Sequence, residues 1–242
     1  HPRVRRQRQM CIRDRYYMLR KIRHQISHYI DVFYNKYYPL QIIHRNRQRK
    51  RLKNSTFSLL TGNCIGGYIY HQLGLPFTSP TINMMIENQD FKKFVLNLDY
   101  YLSVEPIPFT DLRFPEVPNA KIGDIILHFT HYNTTEEGIK AWNKRKSRLD
   151  LDNLYVIFSD IDLTEEDIKD LQNTKCRKIV IMTSKKFDYS HCLYIPQYDG
   201  LPRVGELLGK TLSGKWRFEK YFDFVGWVNS DDIVAQNFYI GK

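Results

Sequence analysis

The chain has 242 residues, of which 42% are hydrophobic, 14% aromatic and 26% charged. This composition, a mean hydropathy of −0.50 and the lack of any run of about 18 apolar residues exclude a disordered chain and a transmembrane helix. Four cysteines without a C-x-x-C pair argue against a disulfide scaffold and a structural zinc site, so no metal is expected.

The net charge of +11 lies at the N-terminal end of the chain. Residues 1–15 carry +5 and residues 16–53 carry +9, whereas residues 54–242 hold 21 Lys/Arg against 24 Asp/Glu, which gives −3. A nucleic-acid-binding fold is expected to carry its positive charge on the folded body. We therefore expect no nucleic-acid partner.

The first fifteen residues show neither hydrophobic periodicity nor turn signals. Arg5–Arg15 matches the translation of a common transposase-type sequencing adapter, so we interpret residues 1–15 as adapter read-through and exclude them from fold reasoning. The alternative interpretation is a genuine basic arm.

Residues 16–53 are predicted to form a basic helical arm. Apolar residues recur at helical spacing from Leu19 to Phe33, and a dense run of basic residues follows from Arg45 to Lys53. Residues 18–53 could contact an anionic membrane surface peripherally, or they could be a solvated helix packed on the body. Because no secretory hydrophobic region is apparent, we expect a cytoplasmic protein, either free or peripheral at the inner face of the membrane.

Residues 54–242 are predicted to form a single α/β domain in which near-continuous apolar strands alternate with helices. This pattern is typical of a mostly parallel sheet with helices on both faces, here preceded by the basic helical arm. An aromatic-rich tail over residues 216–238 is expected to close the fold as a helix and loop. The predicted strands are 56–60, 122–129, 154–159, 178–182 and 192–195, and the predicted helices are 68–73, 88–102, 134–149 and 164–171.

Three predicted strands are each followed by a side chain that could take part in catalysis. These side chains lie at the carboxyl edge of the sheet, where sites form in open α/β folds. Cys64 lies at a strand-to-helix turn, where a helix N-terminus favours a thiolate. His131 is the expected base, and Asp160 is expected to orient the imidazole. Alternatively, Cys64 fills space in a Gly-rich turn, His131 bonds the backbone and Asp160 caps the following loop.

Further residues are predicted to contact the substrate or donor. Asn63, Gly66 and Gly67 flank the thiol, and the missing glycine side chains would let a carbonyl approach the amides after Cys64, which would form an oxyanion hole. Tyr132 follows the predicted base. Arg145 and Arg148, on the helix over residues 134–149, could bind phosphate of a nucleotide-bearing donor or a lipid pyrophosphate, or could be part of a solvated face.

Residues of about 55–200 resemble the bacterial family of domain of unknown function 1919, whose members occur among exopolysaccharide and capsule biosynthesis proteins. The matching segments are Gly62–Cys64 with Gly67 and Tyr70, Leu73–Leu75, Ser79–Ile82, Phe94–Leu102, His128–Tyr132, Trp142 with Arg145 and Arg148, and Asp152–Leu154 leading to Phe158–Asp160. Gly62–Cys64 is also similar to the Gly-Asn-Cys motif of WcbI-type capsule acetyltransferases, which implies a Cys/His site near bound coenzyme A. Ile65 departs from that motif, which has Gln at this position.

The residues and the resemblance together lead us to expect an acyltransferase that modifies an exopolysaccharide or capsule precursor. Acyl-CoA would be the donor, and a polysaccharide or lipid-linked saccharide precursor would be the acceptor. Three alternatives stay open: a glycosyl- or glycosyl-phosphate transferase, a papain-like cysteine hydrolase, and a non-catalytic capsule assembly protein.

Overall fold

The structure is a computed structural model that describes residues 39–205, 207–211 and 215–241. The predictions for residues 1–15 and for the helix from Leu19 to Phe33 lie outside the described residues. The described residues divide into two units. The smaller unit holds residues 39–44, 210–211 and 215, and in it Lys210 Nζ donates a hydrogen bond to Gln41 Oε1 at 3.1 Å. The larger unit holds the other described residues.

The described residues form seven α-helices and seven β-strands. The helices are α1 (Pro39–Arg51), α2 (Ile65–Leu73), α3 (Asn88–Leu96), α4 (Leu98–Ser103), α5 (Thr135–Lys146), α6 (Glu165–Asp170) and α7 (Phe224–Asn229). The strands are β1 (Ser58–Thr61), β2 (Ile107–Phe109), β3 (Asn119–Ile122), β4 (Ile125–His128), β5 (Leu154–Ser159), β6 (Lys178–Thr183) and β7 (Cys192–Tyr194). None of these helices is long and apolar enough to cross a membrane.

Four strands form a parallel sheet in the order β1-β5-β6-β7, which confirms an α/β fold with a parallel sheet. Every residue of β1 and β5 is buried. Strands that are buried on both faces carry unbroken apolar runs, and this is why the sequence predicted them well.

The predicted strand over residues 122–129 is confirmed only in part. Residues 125–128 form β4, but Ile122 ends β3, which pairs antiparallel with β4 in a hairpin, and β2 adds a third antiparallel strand. The two-residue connection begins at Gly123, whose φ is +59°. Gly-Asp between two apolar strands permits such a tight turn, because glycine adopts positive φ without steric cost.

Two helix ends carry signals that can be seen in the sequence. Gly74 ends α2 in the left-handed conformation, with φ of 71°, and Thr164 with Asp167 forms the capping box of α6. The predicted helix over residues 88–102 is divided at Asn97, which has a non-helical backbone with φ of −128°. Pro39 begins α1, a position that proline tolerates because the first helical N–H needs no acceptor.

Helices and other segments of the chain cover both faces of the parallel sheet. On one face, Leu59 and Tyr155 pack against α2 and against a C-terminal segment that includes Trp227. On the other face, Val156 and Phe158 pack against α3, α5 and the antiparallel sheet. Alternate strand residues point to opposite faces, so each strand contributes to both cores.

The segment from Met84 to Glu87 joins the two sheets close to the carboxyl end of β1. Ile86 N donates a hydrogen bond to Gly62 O at 2.9 Å, and Met85 pairs with His128 through two backbone hydrogen bonds of 2.8 and 2.9 Å. The loop after β4 is thereby brought next to the loop after β1. This arrangement positions the candidate site.

Candidate active site

Cys64 and His131 form a hydrogen-bonded pair, with Cys64 Sγ 3.1 Å from His131 Nε2. Cys64 lies three residues after the end of β1, at the N-cap position of α2 but without a side-chain capping hydrogen bond, and His131 lies three residues after the end of β4. The thiol is half-buried and the imidazole is exposed, so a substrate can reach both groups. At this distance the imidazole can accept the thiol proton directly.

Burial raises the pKa of the Cys64 thiol above its ordinary value. This shift is opposite to the one expected from a helix N-terminus, because removing the group from water disfavours its charged form. The protonated thiol is therefore favoured at neutral pH, and a base is needed to form the thiolate. His131 is the base within hydrogen-bond distance of the thiol.

The amides that directly follow Cys64 are already occupied, contrary to the expected oxyanion hole. Ile65 N donates to Asn63 Oδ1 at 3.0 Å, and Gly66 N donates to Thr61 Oγ1 at 3.3 Å. The backbone N–H of Cys64 and the Nδ2 group of Asn63 have no acceptor within the described part of the chain. These two groups are the donors that remain for a developing negative charge beside the thiol.

Gly66 and Gly67 serve packing and do not line an open approach to the thiol. Both are buried, and a Cβ on Gly66 would lie 2.8 Å from Thr61 Oγ1 and 2.8 Å from Ile82 Cδ1. A Cβ on Gly67 would lie 2.9 Å from Asn83 Oδ1. The missing side chains let α2 pack closely against β1 and against the loop that contains Ile82.

The structure does not bring Asp160 to the imidazole. Asp160 is 8% exposed; its Oδ2 accepts hydrogen bonds from Ser184 N at 2.7 Å and Ser184 Oγ at 2.8 Å, and its Oδ1 accepts one from Val204 N at 2.7 Å. No carboxylate of the described residues contacts His131. Asp160 ties the end of β5 to the residue after β6, and the arrangement at Cys64 is a dyad.

Arg145 holds the loop that carries His131. Its Nη1 donates to Tyr132 Oη at 2.7 Å and to Ile82 O at 2.6 Å, and its guanidinium lies 5.2 Å from the centre of the Phe77 ring. Tyr132 is the residue after His131, so this contact restrains the loop on which the base lies. Sequence reasoning identified Arg145 and Tyr132 but not Ile82 or Phe77, whose involvement depends on a tertiary contact across 63 residues.

An open cleft of about 560 Å³ lies beside this loop. Arg145 and Arg148, both predicted to bind the donor, line it together with Tyr132. Sequence reasoning missed Pro76, Phe77, Glu137, Lys140 and Ala141, which also line the cleft, as does Lys144. The part of the chain that the structure describes contains no group of three or more His, Cys, Asp or Glu side chains that could hold a metal ion.

The structure defines an α/β protein in which a thiol and an imidazole are hydrogen-bonded near the carboxyl end of β1. The family described as "Domain of unknown function (DUF1919)" matches residues 35–229, and the chain belongs to that family. The match extends beyond the segment of about 55–200 on which the resemblance was based, and it includes all of α1. An "Uncharacterized protein" of the bacterium Haemophilus influenzae strain Rd is 35% identical over 192 residues, which cover 77% of this chain and 90% of that protein.

Proposed function

We propose that this protein is an acyltransferase in which Cys64 is the nucleophile and His131 is the general base. The observation that carries the proposal is the 3.1 Å separation of Cys64 Sγ and His131 Nε2 at a partly exposed position. A thiol with a raised pKa is a weak nucleophile on its own and needs a neighbouring base. The imidazole supplies that base.

The reaction proceeds in two halves. In the first, His131 Nε2 accepts the Cys64 proton, the sulfur bonds to the acyl carbon, and the bond between that carbon and the donor's sulfur breaks; the donor thiolate takes the proton from the imidazolium. In the second, His131 accepts the proton of an acceptor hydroxyl, whose oxygen bonds to the acyl carbon. The bond from that carbon to Cys64 Sγ then breaks, and the thiolate takes the proton back from the imidazolium.

The negative charge of each tetrahedral intermediate needs hydrogen-bond donors beside the sulfur. The backbone N–H of Cys64 and the Nδ2 group of Asn63 are unengaged donors next to the thiol, among the residues described. We assign the oxyanion to these two groups rather than to the amides after Cys64. Asn63 Oδ1 accepts from Ile65 N, and this bond holds the side chain beside the reacting centre.

The donor and the acceptor follow from the resemblance. The Gly62–Cys64 motif, similar to that of WcbI-type capsule acetyltransferases, favours acyl-CoA as donor. The expected link of the family to polysaccharide biosynthesis leads us to propose a hydroxyl of an exopolysaccharide or capsule precursor as acceptor. If water takes the place of that hydroxyl, the same dyad performs hydrolysis. Because His131 is exposed to water, a cysteine hydrolase is the second candidate.

The test is the formation of an acyl-enzyme. We expect acetyl-CoA to place one acetyl group on Cys64, detected by intact-protein and peptide mass spectrometry. Cys64→Ala should abolish the adduct, and His131→Gln should slow its formation by about 10²–10⁴-fold, the usual contribution of a general base. Cys176→Ala is the matched control, because burial raises the pKa of that thiol to about 12.

An adduct that forms on Cys64→Ala at the wild-type rate, or no adduct with acetyl-CoA or an activated acetyl ester, would contradict the proposal. The rate at which the acetyl group leaves Cys64, measured with and without a saccharide acceptor, distinguishes the acyltransferase from the hydrolase. Faster loss of the acetyl group with added saccharide hydroxyls favours the transferase, whereas loss at one rate with and without saccharide favours the hydrolase. Thermal unfolding of each variant establishes that the fold is retained.

A further inference from the structure

Three cations on one side of α5 lack an acidic partner. Lys140, Lys144 and Arg148 follow one another at intervals of four residues, which places them on one side of the helix and just past its end. All three are exposed, and none forms an ion pair or side-chain hydrogen bond within the described chain. Lys146, on another side of the same helix, is paired with Glu105 at 3.0 Å.

This concentration of charge contrasts with the rest of the body. Residues 54–242 have a net charge of −3, and within this acidic body Lys140, Lys144 and Arg148 form a local group of cations. One carboxylate, that of Glu137, lines the same cleft, and it accepts a hydrogen bond from Asn133 N at 3.1 Å. Like charges on one side of a helix repel, and an anion bound between them would relieve that repulsion.

The cleft also has apolar and aromatic lining. Pro76, Phe77, Tyr132 and Ala141 contribute to it, and the volume of about 560 Å³ is in the usual size range of small-molecule sites. Arg145, which also lines the cleft, donates hydrogen bonds to Tyr132 Oη and Ile82 O. A ligand that fits has a strongly anionic part for the cations and a ring or apolar part for Phe77.

We propose that this cleft binds a pyrophosphate-bearing molecule through Lys140, Lys144 and Arg148, with its ring or apolar portion on the wall formed by Phe77. Phosphate oxygens accept several charge-assisted hydrogen bonds at once, and these cations supply donors on one side. Binding at the cleft does not depend on chemistry at Cys64. The further assignment of the bound molecule as the substrate of Cys64 and His131 rests on the proposed function. It is supported by Tyr132, which lines the cleft and is adjacent to His131 in the chain.

Two sources share this chemistry: a nucleoside diphosphate portion, as in coenzyme A or a sugar nucleotide, and a lipid pyrophosphate. Calorimetric titration with inorganic pyrophosphate, ADP and coenzyme A tests the first. Co-sedimentation with phosphatidylcholine vesicles that contain a polyprenyl pyrophosphate tests the second, with vesicles of phosphatidylcholine alone as the blank.

We expect the full chain to bind pyrophosphate, and to bind one of the two sources more tightly. Each cation replaced should weaken binding by on the order of 10-fold, so Lys140→Ala/Lys144→Ala/Arg148→Ala should lose about 100-fold or more. The charge-matched control Lys169→Ala/Lys185→Ala/Lys186→Ala removes three exposed lysines outside the cleft and should bind as the wild type does. Binding should also weaken as salt is added.

Absence of binding by pyrophosphate, both nucleotides and the vesicles, or equal weakening in the two triple variants, overturns the proposal. The same titrations on Cys64→Ala separate it from the proposed function. Binding that persists in a protein unable to form an acyl-enzyme supports the cleft, and an acyl-enzyme in a protein that binds no pyrophosphate supports the dyad alone.

Discussion

Cys64 and Gly66 lie two residues apart at the same bend, but their surroundings give them different roles. The Cys64 sulfur contacts His131 and is reached from solvent, whereas Gly66 is buried between Thr61 and Ile82. The sequence suggests that Gly66 leaves room for a substrate carbonyl to approach the backbone next to Cys64. The contacts at Gly66 show instead that the glycine is needed for close packing of α2.

Gly66→Ala should therefore destabilise the fold. Its Cβ would lie 2.8 Å from both Thr61 Oγ1 and Ile82 Cδ1, and relieving that overlap should cost about 1–3 kcal/mol. Urea denaturation measures the free energy of unfolding. An unchanged free energy together with loss of acyl-enzyme formation would show that the glycine serves substrate approach instead.

At the scale of elements, α5 connects the loop of His131 to the segment from Phe77 to Ile82. Arg145 makes this connection through Tyr132 Oη and Ile82 O, while Arg148, three residues later, makes no side-chain hydrogen bond to the described chain. The sequence suggested one role, donor binding, for both arginines. Their contacts assign Arg145 to positioning and leave Arg148 free to meet a ligand.

Arg145→Leu and Arg148→Leu form a matched pair that tests this division. Arg145→Leu should lower the free energy of unfolding by about 1–3 kcal/mol, because it removes the donor to Ile82 O and Tyr132 Oη. Arg148→Leu should change it by less than about 0.5 kcal/mol, as is usual for an exposed side chain without partners. Equal effects of the two substitutions on urea denaturation would contradict the assignment.

The Arg145 variant also has a readout that lost stability alone would not change. If the contact with Tyr132 positions His131, Arg145→Leu should slow acylation of Cys64 under conditions in which the protein stays folded. Tyr132→Phe removes one of the two acceptors and should have a smaller effect in the same direction. Acylation at the wild-type rate in both variants would show that the loop needs no such restraint.

At the scale of the whole molecule, two histidines are buried in parts of the larger unit far apart in sequence. His128 is fully buried; its Nδ1 bonds Asn119 Oδ1 at 2.7 Å, and its Nε2 has no partner among the described residues. His191 is buried and its Nε2 donates to Ile168 O at 2.9 Å. Burial lowers the pKa of both imidazoles, because charging them out of water is costly.

Stability should fall as the solution is acidified below about pH 6.5, the ordinary pKa of histidine. Between that pH and the lower pKa of the folded state, the unfolded chain binds protons that the folded chain does not, so the free energy of unfolding decreases with decreasing pH. Carboxylates with lowered pKa, such as that of Asp167, contribute at lower pH, around and below the ordinary value of 3.8. Urea denaturation from pH 7.5 to pH 5 measures the slope.

His191→Gln should reduce this slope, because it removes one of the two buried imidazoles whose pKa is lowered. A free energy of unfolding that is flat or rises between pH 7.5 and pH 5 would mean that the buried imidazoles accept protons in the folded state.

Sequence reasoning located both members of the dyad, because each follows an apolar segment that ends in a loop. Its single strand over residues 122–129 combines β4 with the last residue of β3, because apolar residues lie on both sides of Gly123. The hairpin nevertheless brings His131 to Cys64, since Met85 pairs with His128 and Ile86 bonds Gly62. His131 therefore meets Cys64 as expected, but it follows a strand of the antiparallel sheet.

The sequence by itself determined the features that depend on neighbouring residues: the buried parallel strands with unbroken apolar runs, the left-handed Gly74, the capping box at Thr164 and the family. Only the tertiary structure decided that Cys64 meets His131 across 67 residues while Asp160 is bonded to Ser184 and Val204. The physical reason is that local periodicity reports which residues are buried. Which side chains meet at a sheet edge depends on strand order and on the connections between sheets, and these are set by contacts distant in sequence.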